Sequence, residues 1–163
     1  MRLRILLALA AAFVAKDDRP GDCGSSKPGC AGTWTRGLVS TDRVILEDDG
    51  TLAVYDSGTG SLRKTFHLQG SPENLQALAV HGSIAVYSKP VRFKTGAVSE
   101  GAVHAINLAT GKDRVVGRLG GAIPLASIDS AGLVYASNLY GASKFGNGTV
   151  VFLPLAKVAA AVS

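Results

Sequence analysis

The chain is poor in the residues that carry most enzyme chemistry. Its 163 residues include three histidines, two cysteines, one methionine and one tryptophan. His67, His81 and His104 are scattered and no Cys-x-x-Cys pair occurs, so no zinc set is offered. There is no Gly-x-Ser-x-Gly elbow and no phosphate-binding loop, which leaves acyl transfer and nucleotide chemistry without their usual carriers. Basic residues are spread out as Arg43, Arg63, Lys64, Lys89, Arg92, Lys94, Arg114 and Arg118. None lies in a run of the length that makes a nucleic-acid patch, so no nucleic-acid partner is expected. The apolar run Ile5 to Val14 is too short to span a bilayer. No long 3.6-residue apolar period is visible, which argues for strands over helices. Hydrophobic residues at 47% against 18% charged exclude a disordered chain.

What is there is a repeat. Glycine opens three similar apolar segments: Gly50-Thr51-Leu52-Ala53-Val54-Tyr55, Gly101-Ala102-Val103-His104-Ala105-Ile106 and Gly148-Thr149-Val150-Val151-Phe152-Leu153. Residues 51–68 align without a gap on 102–119, placing Asp56-Ser57-Gly58-Thr59-Gly60 opposite Asn107-Leu108-Ala109-Thr110-Gly111. An Asp or Asn bonds the backbone two residues on, and a closing Gly takes positive φ, so each copy reads as strand, tight turn, strand. Upstream of each glycine lies a second unit of two short apolar strands: 38–46, 78–87 and 126–135. A spacing of this size, with four strands per repeat, predicts an all-β protein of β-propeller-type blades. The expected blades are antiparallel meanders over 37–68, 75–119 and 123–158, three four-stranded repeats forming an incomplete or open propeller. Strands that are apolar throughout suit sheets covered on both faces.

The turn Ala105-x-Asn107-x-x-Thr110-Gly111, and more loosely Val54-x-Asp56-x-x-Thr59-Gly60, resembles the Ala-x-Asp-x-x-Thr-Gly-x-x-x-Trp repeat of pyrroloquinoline-quinone-type propellers, and WD-repeat blades use similar hairpins. The resemblance implies propeller architecture over residues 37–158 at most. In the quinoproteins the Trp docks adjacent blades; Lys64 and Val115 stand at its two positions here. No cofactor, quinone included, is therefore expected.

Residues 1–15, with Arg2 and Arg4 before the apolar run, read as a secretory signal. A second reading makes them strands of a further, degraded blade. The first places the protein outside the cytoplasm, secreted, periplasmic or on the cell surface; the second leaves it cytoplasmic. Removing residues 1–15 would lower the formal charge from +5 to +3, since only Arg2 and Arg4 are lost. Residues 16–36 read as a polar loop holding Cys23 and Cys30, and 37–163 as the repeats.

No catalytic residue or metal site is expected. Histidines at surface or edge positions fit the pattern best. Asp48-Asp49-Gly50-Thr51 lacks the spacing of a calcium loop and reads as a hairpin turn. Asn147-Gly148-Thr149 is formally a glycosylation acceptor, and Asn-Gly also reads as a hairpin turn. Two long loops within repeats, Ser88 to Glu100 and Leu139 to Asn147, carry aromatics beside basic residues: Arg92, Phe93 and Lys94 in one, Tyr140, Lys144 and Phe145 in the other. They are a candidate binding rim; the plainer reading makes each a hairpin whose aromatic tucks against the blade. The function expected is an exported, non-enzymatic binding or scaffold module with an unknown protein or small-molecule partner. Self-association that covers exposed blade faces is expected as well. A fragment of a quinoprotein-like propeller enzyme and a truncated gene product are the alternatives. In the exported protein, Cys23 and Cys30 are expected to be bonded to each other, with a modest gain of about 2 kcal/mol or less from so short a loop. Peptide mapping without reduction checks this; two freely alkylated thiols would refute it.

Overall fold

The computed structural model describes residues 36–40, 42–48, 50–69, 75–138 and 148–163. Residues 1–15, read above as a signal or a degraded blade, the stretch holding Cys23 and Cys30, and residues 139–147 lie outside these residues. The chain divides into two compact units between residues 72 and 73. Among the described residues no helix is long and apolar enough to cross a membrane.

The first unit is one antiparallel meander, β1 (Arg36–Val39), β2 (Arg43–Asp48), β3 (Thr51–Asp56) and β4 (Leu62–His67), in that spatial order. β2 and β3 pair antiparallel with Asp48 opposite Thr51, and Gly50 between them takes φ 72°. The expected hairpin between β2 and β3 is observed in this pairing. Glu47, buried on β2, accepts the Gly50 N–H at 3.2 Å.

In the second unit β5 (Ala77–His81), β6 (Ile84–Lys94), β7 (Ala97–Asn107) and β8 (Asp113–Gly120) form another four-stranded meander. β9 (Ala122–Ile128), β10 (Gly132–Asn138) and β11 (Val150–Pro154) form a three-stranded one, followed by α1 (Leu155–Val162). The two sheets pack through a shared core of Ile84 and Val86, Val103 and Ala105, Ile123 and Ile128, and Leu133 and Tyr135. Ser88 Oγ donates to the Ile123 carbonyl at 2.6 Å, and the Ile123 N–H donates to Gln76 Oε1 at 2.7 Å, pinning β9 to the preceding sheet. All-β architecture in antiparallel meanders is thus observed.

Among the described residues the third repeat shows three strands and a helix where four strands were expected. Residues 155–162 are helical because Leu155, Val158, Ala159 and Val162 recur at i, i+3, i+4 and i+7, and all four pack on the shared core. The surrounding residues are mostly alanine, the best helix former, and Pro154 sits at the helix start, where a missing N–H costs nothing. A helical period does exist, confined to two turns.

The aligned turns are the same bond for bond. Asp56 Oδ1 accepts the Gly58 and Thr59 N–H groups at 2.9 and 2.7 Å; Asn107 Oδ1 accepts those of Ala109 and Thr110 at 2.9 and 3.3 Å. Gly60 and Gly111, at φ 67° and 81°, return N–H bonds to the carbonyls of Asp56 and Asn107. The aligned strand glycines, by contrast, have different causes. Gly50 takes positive φ in a turn. Gly101 does not open a strand: it lies inside β7, where a Cβ would meet the Gly121 carbonyl oxygen at 2.8 Å and Ile123 Cγ1 at 2.9 Å. At Gly148 a Cβ would meet the Ser137 carbonyl oxygen at 2.9 Å.

Asn107 has a further task. Its Nδ2 donates to the Val162 carbonyl at 3.3 Å, and Lys112 Nζ donates to that of Ser163, so this turn holds the end of α1. Asn107→Ala should destabilise the second unit by about 1–2 kcal/mol, and Asn107→Asp, which loses only the donor, by less. Urea denaturation checks the order. At Asp56 the Arg63 guanidinium, with the turn N–H groups, holds the pKa down at about 2 from 3.8. A depressed folded pKa means this contribution is present above about pH 4 and is lost as pH falls toward 2. Asp56→Asn should remove that part of the acid dependence.

Candidate functional site

Residues 88–100, read from sequence as a loop, are the far halves of β6 and β7. Each of these strands has 11 residues, and they meet at a two-residue Thr95-Gly96 turn with Lys94 opposite Ala97. Thr95 and Gly96 both have positive φ, 51° and 79°, the turn type that matches strand twist. β5 pairs with β6 only as far as Ser88, and β8 with β7 only as far as Glu100. Beyond those points the hairpin is a two-stranded ribbon among the described residues. Pro90 is tolerated there because the strand has become an edge, and register shifts around Arg92 strengthen its twist.

The ribbon carries the residues singled out as a rim. Phe93 is 57% exposed and does not tuck against the sheet; Val91, Arg92 and Lys94 are exposed beside it. Glu100 is shared by two cations, Arg92 Nε at 3.3 Å and Arg118 at 3.0 Å. Such surface pairs orient the side chains while adding little stability. Burial pushes the Lys89 ammonium pKa down; Asp113 opposes this and Arg118 adds to it. Tyr140, Lys144 and Phe145 lie outside the described residues, so the structure brings together only Arg92, Phe93 and Lys94. Cys23, Cys30 and Asn147 also lie outside them.

The histidines correct the sequence reading in one case. His67 is exposed and lies 3.4 Å from Thr51 Oγ1, and His81 is half-buried at the end of β5. His104, however, is 3% exposed inside β7. Register sets Tyr87 of β6 directly opposite it, and their rings stack with centroids 4.8 Å apart. Asp113, first residue of β8, lies diagonally across. One Asp113 oxygen accepts from the Tyr87 hydroxyl at 2.5 Å, and the other lies 3.0 Å from His104 Nδ1. A carboxylate only accepts, so Nδ1 carries the proton.

This triad bridges three strands and was missed in the sequence. The signal lies in the alignment itself: the matching positions of the first repeat are Leu46, Ala53 and Leu62, all apolar. Chemically, the triad is closed. Asp113 satisfies both neighbours, and all three side chains are buried. No group of His, Cys, Asp and Glu among the described residues could hold a metal ion. The triad therefore acts as a clamp within the sheet, and the exposed ribbon is the stronger candidate for contact with a partner.

The chain matches no model of a known protein family and no curated protein.

The clamp reading has a direct check. Asp113→Ala leaves a buried phenol and imidazole without their acceptor and should cost about 2–4 kcal/mol. Importing the first repeat's residues together, Tyr87→Leu, His104→Ala and Asp113→Leu, removes donors and acceptor alike and should recover at least half of that loss. Urea denaturation of both variants measures it.

Proposed function

We propose that this protein is a non-enzymatic binding or scaffold module, built from propeller-type blades and exported. The blade reading is supported by the matching turns, the meander order of all three sheets and the face-to-face packing of the second sheet on the third. The export reading rests on the basic start and apolar run of residues 1–15.

One observation carries the binding reading: Phe93 stands 57% exposed, between Arg92 and Lys94 in sequence, on a ribbon that no further strand flanks among the described residues. An exposed aromatic there contributes nothing to a core and offers an apolar contact, while Arg92 and Lys94, its neighbours along the strand, add positive charge to the same ribbon tip. The fitting partner is an acidic protein surface.

Phe93→Ser should shift stability by less than about 0.5 kcal/mol, since the ring is already largely in water. A photo-crosslinking residue at position 93 should trap a partner from extracts of the producing cells, and Arg92→Glu with Lys94→Glu should abolish trapping. Unfolding of Phe93→Ser would place the ring in the core and end this reading. Tight binding of pyrroloquinoline quinone to the purified chain would replace it with the quinoprotein one.

A further inference from the structure

The second sheet gathers its charge where the β6–β7 ribbon leaves it. β6, β7 and β8 carry five cations, Lys89, Arg92, Lys94, Arg114 and Arg118, against two carboxylates, Glu100 and Asp113, a net +3. Asp113 is buried and taken by Tyr87 and His104. Register brings four of the others together. Lys89 and Arg118 both stand opposite Ala102, one on each flanking strand, and Arg92 stands opposite Glu100. Residues directly opposite share a face, as do Glu100 and Ala102, two apart on β7. The cluster therefore lies on the side of the sheet away from the core that holds Val86 and Val103. One Glu100 oxygen takes Arg92 and the other takes Arg118, so one carboxylate sits between two exposed guanidinium groups. Burial pushes the Lys89 ammonium pKa down, Asp113 opposes this, and Arg118 adds to the fall, which puts Arg118 within electrostatic reach of Lys89.

We propose that this face binds an acidic peptide segment of the partner, whose carboxylates engage Lys89, Arg92 and Arg118 and displace Glu100. The proposal rests on the ribbon being a partner surface, and it names what that surface recognises. Glu100 shows the chemistry in the free chain: a carboxylate fits between the two guanidinium groups, one oxygen to each. Ion pairs this exposed hold little energy, so an incoming carboxylate displaces Glu100 at small cost. Lys89, Arg92 and Arg118 around one resident carboxylate leave a net +2, which a segment with two or more carboxylates neutralises. A peptide suits the face better than a nucleic-acid strand does. Bases need exposed rings to stack on, and the rings this face carries, Tyr87 and His104, are buried.

The probe is a fluorescein-labelled oligoglutamate peptide of about eight residues. Its anisotropy, titrated with the full chain to about 1 mM in about 20 mM salt, should show saturable binding that weakens at about 150 mM salt. Lys89→Gln and Arg118→Gln should each weaken binding roughly threefold to fivefold, and Glu100→Gln should tighten it by a similar factor. Arg114→Gln removes the same charge from β8, but opposite Ala105 on the core side, and should leave binding unchanged. In the wild type the amide resonances of residues 89, 92, 100 and 118 should shift as peptide is added, a reading that needs no variant. Absence of binding overturns the proposal. So does equal weakening by Arg114→Gln, or resonance shifts confined to other strands. An oligothymidylate of equal charge that binds more tightly, with the same losses in the variants, would make the face a nucleic-acid one. Crosslinking at position 93 without peptide binding ends this proposal and leaves the ribbon reading standing. Peptide binding without crosslinking ends the ribbon reading and keeps the face.

Discussion

Burial of the central strands of the second sheet on both faces is the constraint on which the rest of its unit depends. Ile84–Ser88 and Gly101–Ile106 are buried without a break. A strand sends successive side chains to opposite faces, so both faces must be filled and every polar group on them must find a partner. On one face the filling is Ile84, Val86, Val103 and Ala105 against the third sheet and α1. The same closeness requires Gly101, because any Cβ there would press on the Gly121 carbonyl and Ile123. On the other face lie Tyr87 and His104, and Asp113 satisfies both of their polar groups.

The constraint ends where the flanking strands end. Past Ser88 and Glu100 the same two strands lose their neighbours, and their composition changes at once from Ala and Val to Pro90, Arg92, Phe93 and Lys94. One hairpin is therefore core at its base and surface at its tip. The third sheet shows the converse economy of structure. Its inner side chains pack on the common core while exposed apolar residues line its outer face, and the two-turn helix that follows β11 in the chain packs on that core. That helix is held at its end by Asn107, so a residue of the repeated turn also ties the second repeat to the third.

Much of the fold was legible from residues 51–68 and 102–119. An Asx residue followed by Thr-Gly has few ways to satisfy its backbone, and both turns form the expected bonds. Strand assignments held because β-branched and small apolar residues between turn residues have few alternatives. The errors have definite causes. The segment 88–100 looked like a loop because its polar residues mask a ribbon whose pairing is set by the opposite strand. The helix at 155–162 was overlooked because two turns of period are too short to stand out. His104 looked ordinary because its partners are 17 residues back, at Tyr87, and 9 ahead, at Asp113.

Sequence alone determined the local events: where strands begin and end around Gly60 and Gly111, which repeats exist, and how sheets are ordered as meanders. These follow from backbone conformation and neighbours a few residues away, which the chain carries in order. Tertiary structure alone decided what each position meets. It brought Tyr87 and His104 onto the Asp113 carboxylate, set Gly50 in a positive-φ turn but Gly101 and Gly148 under backbone carbonyls, and left Phe93, Val150 and Phe152 in water. Those outcomes depend on register across strands and on which faces the second and third sheets share. Such contacts join residues far apart in the chain, and local propensity has no means of encoding them.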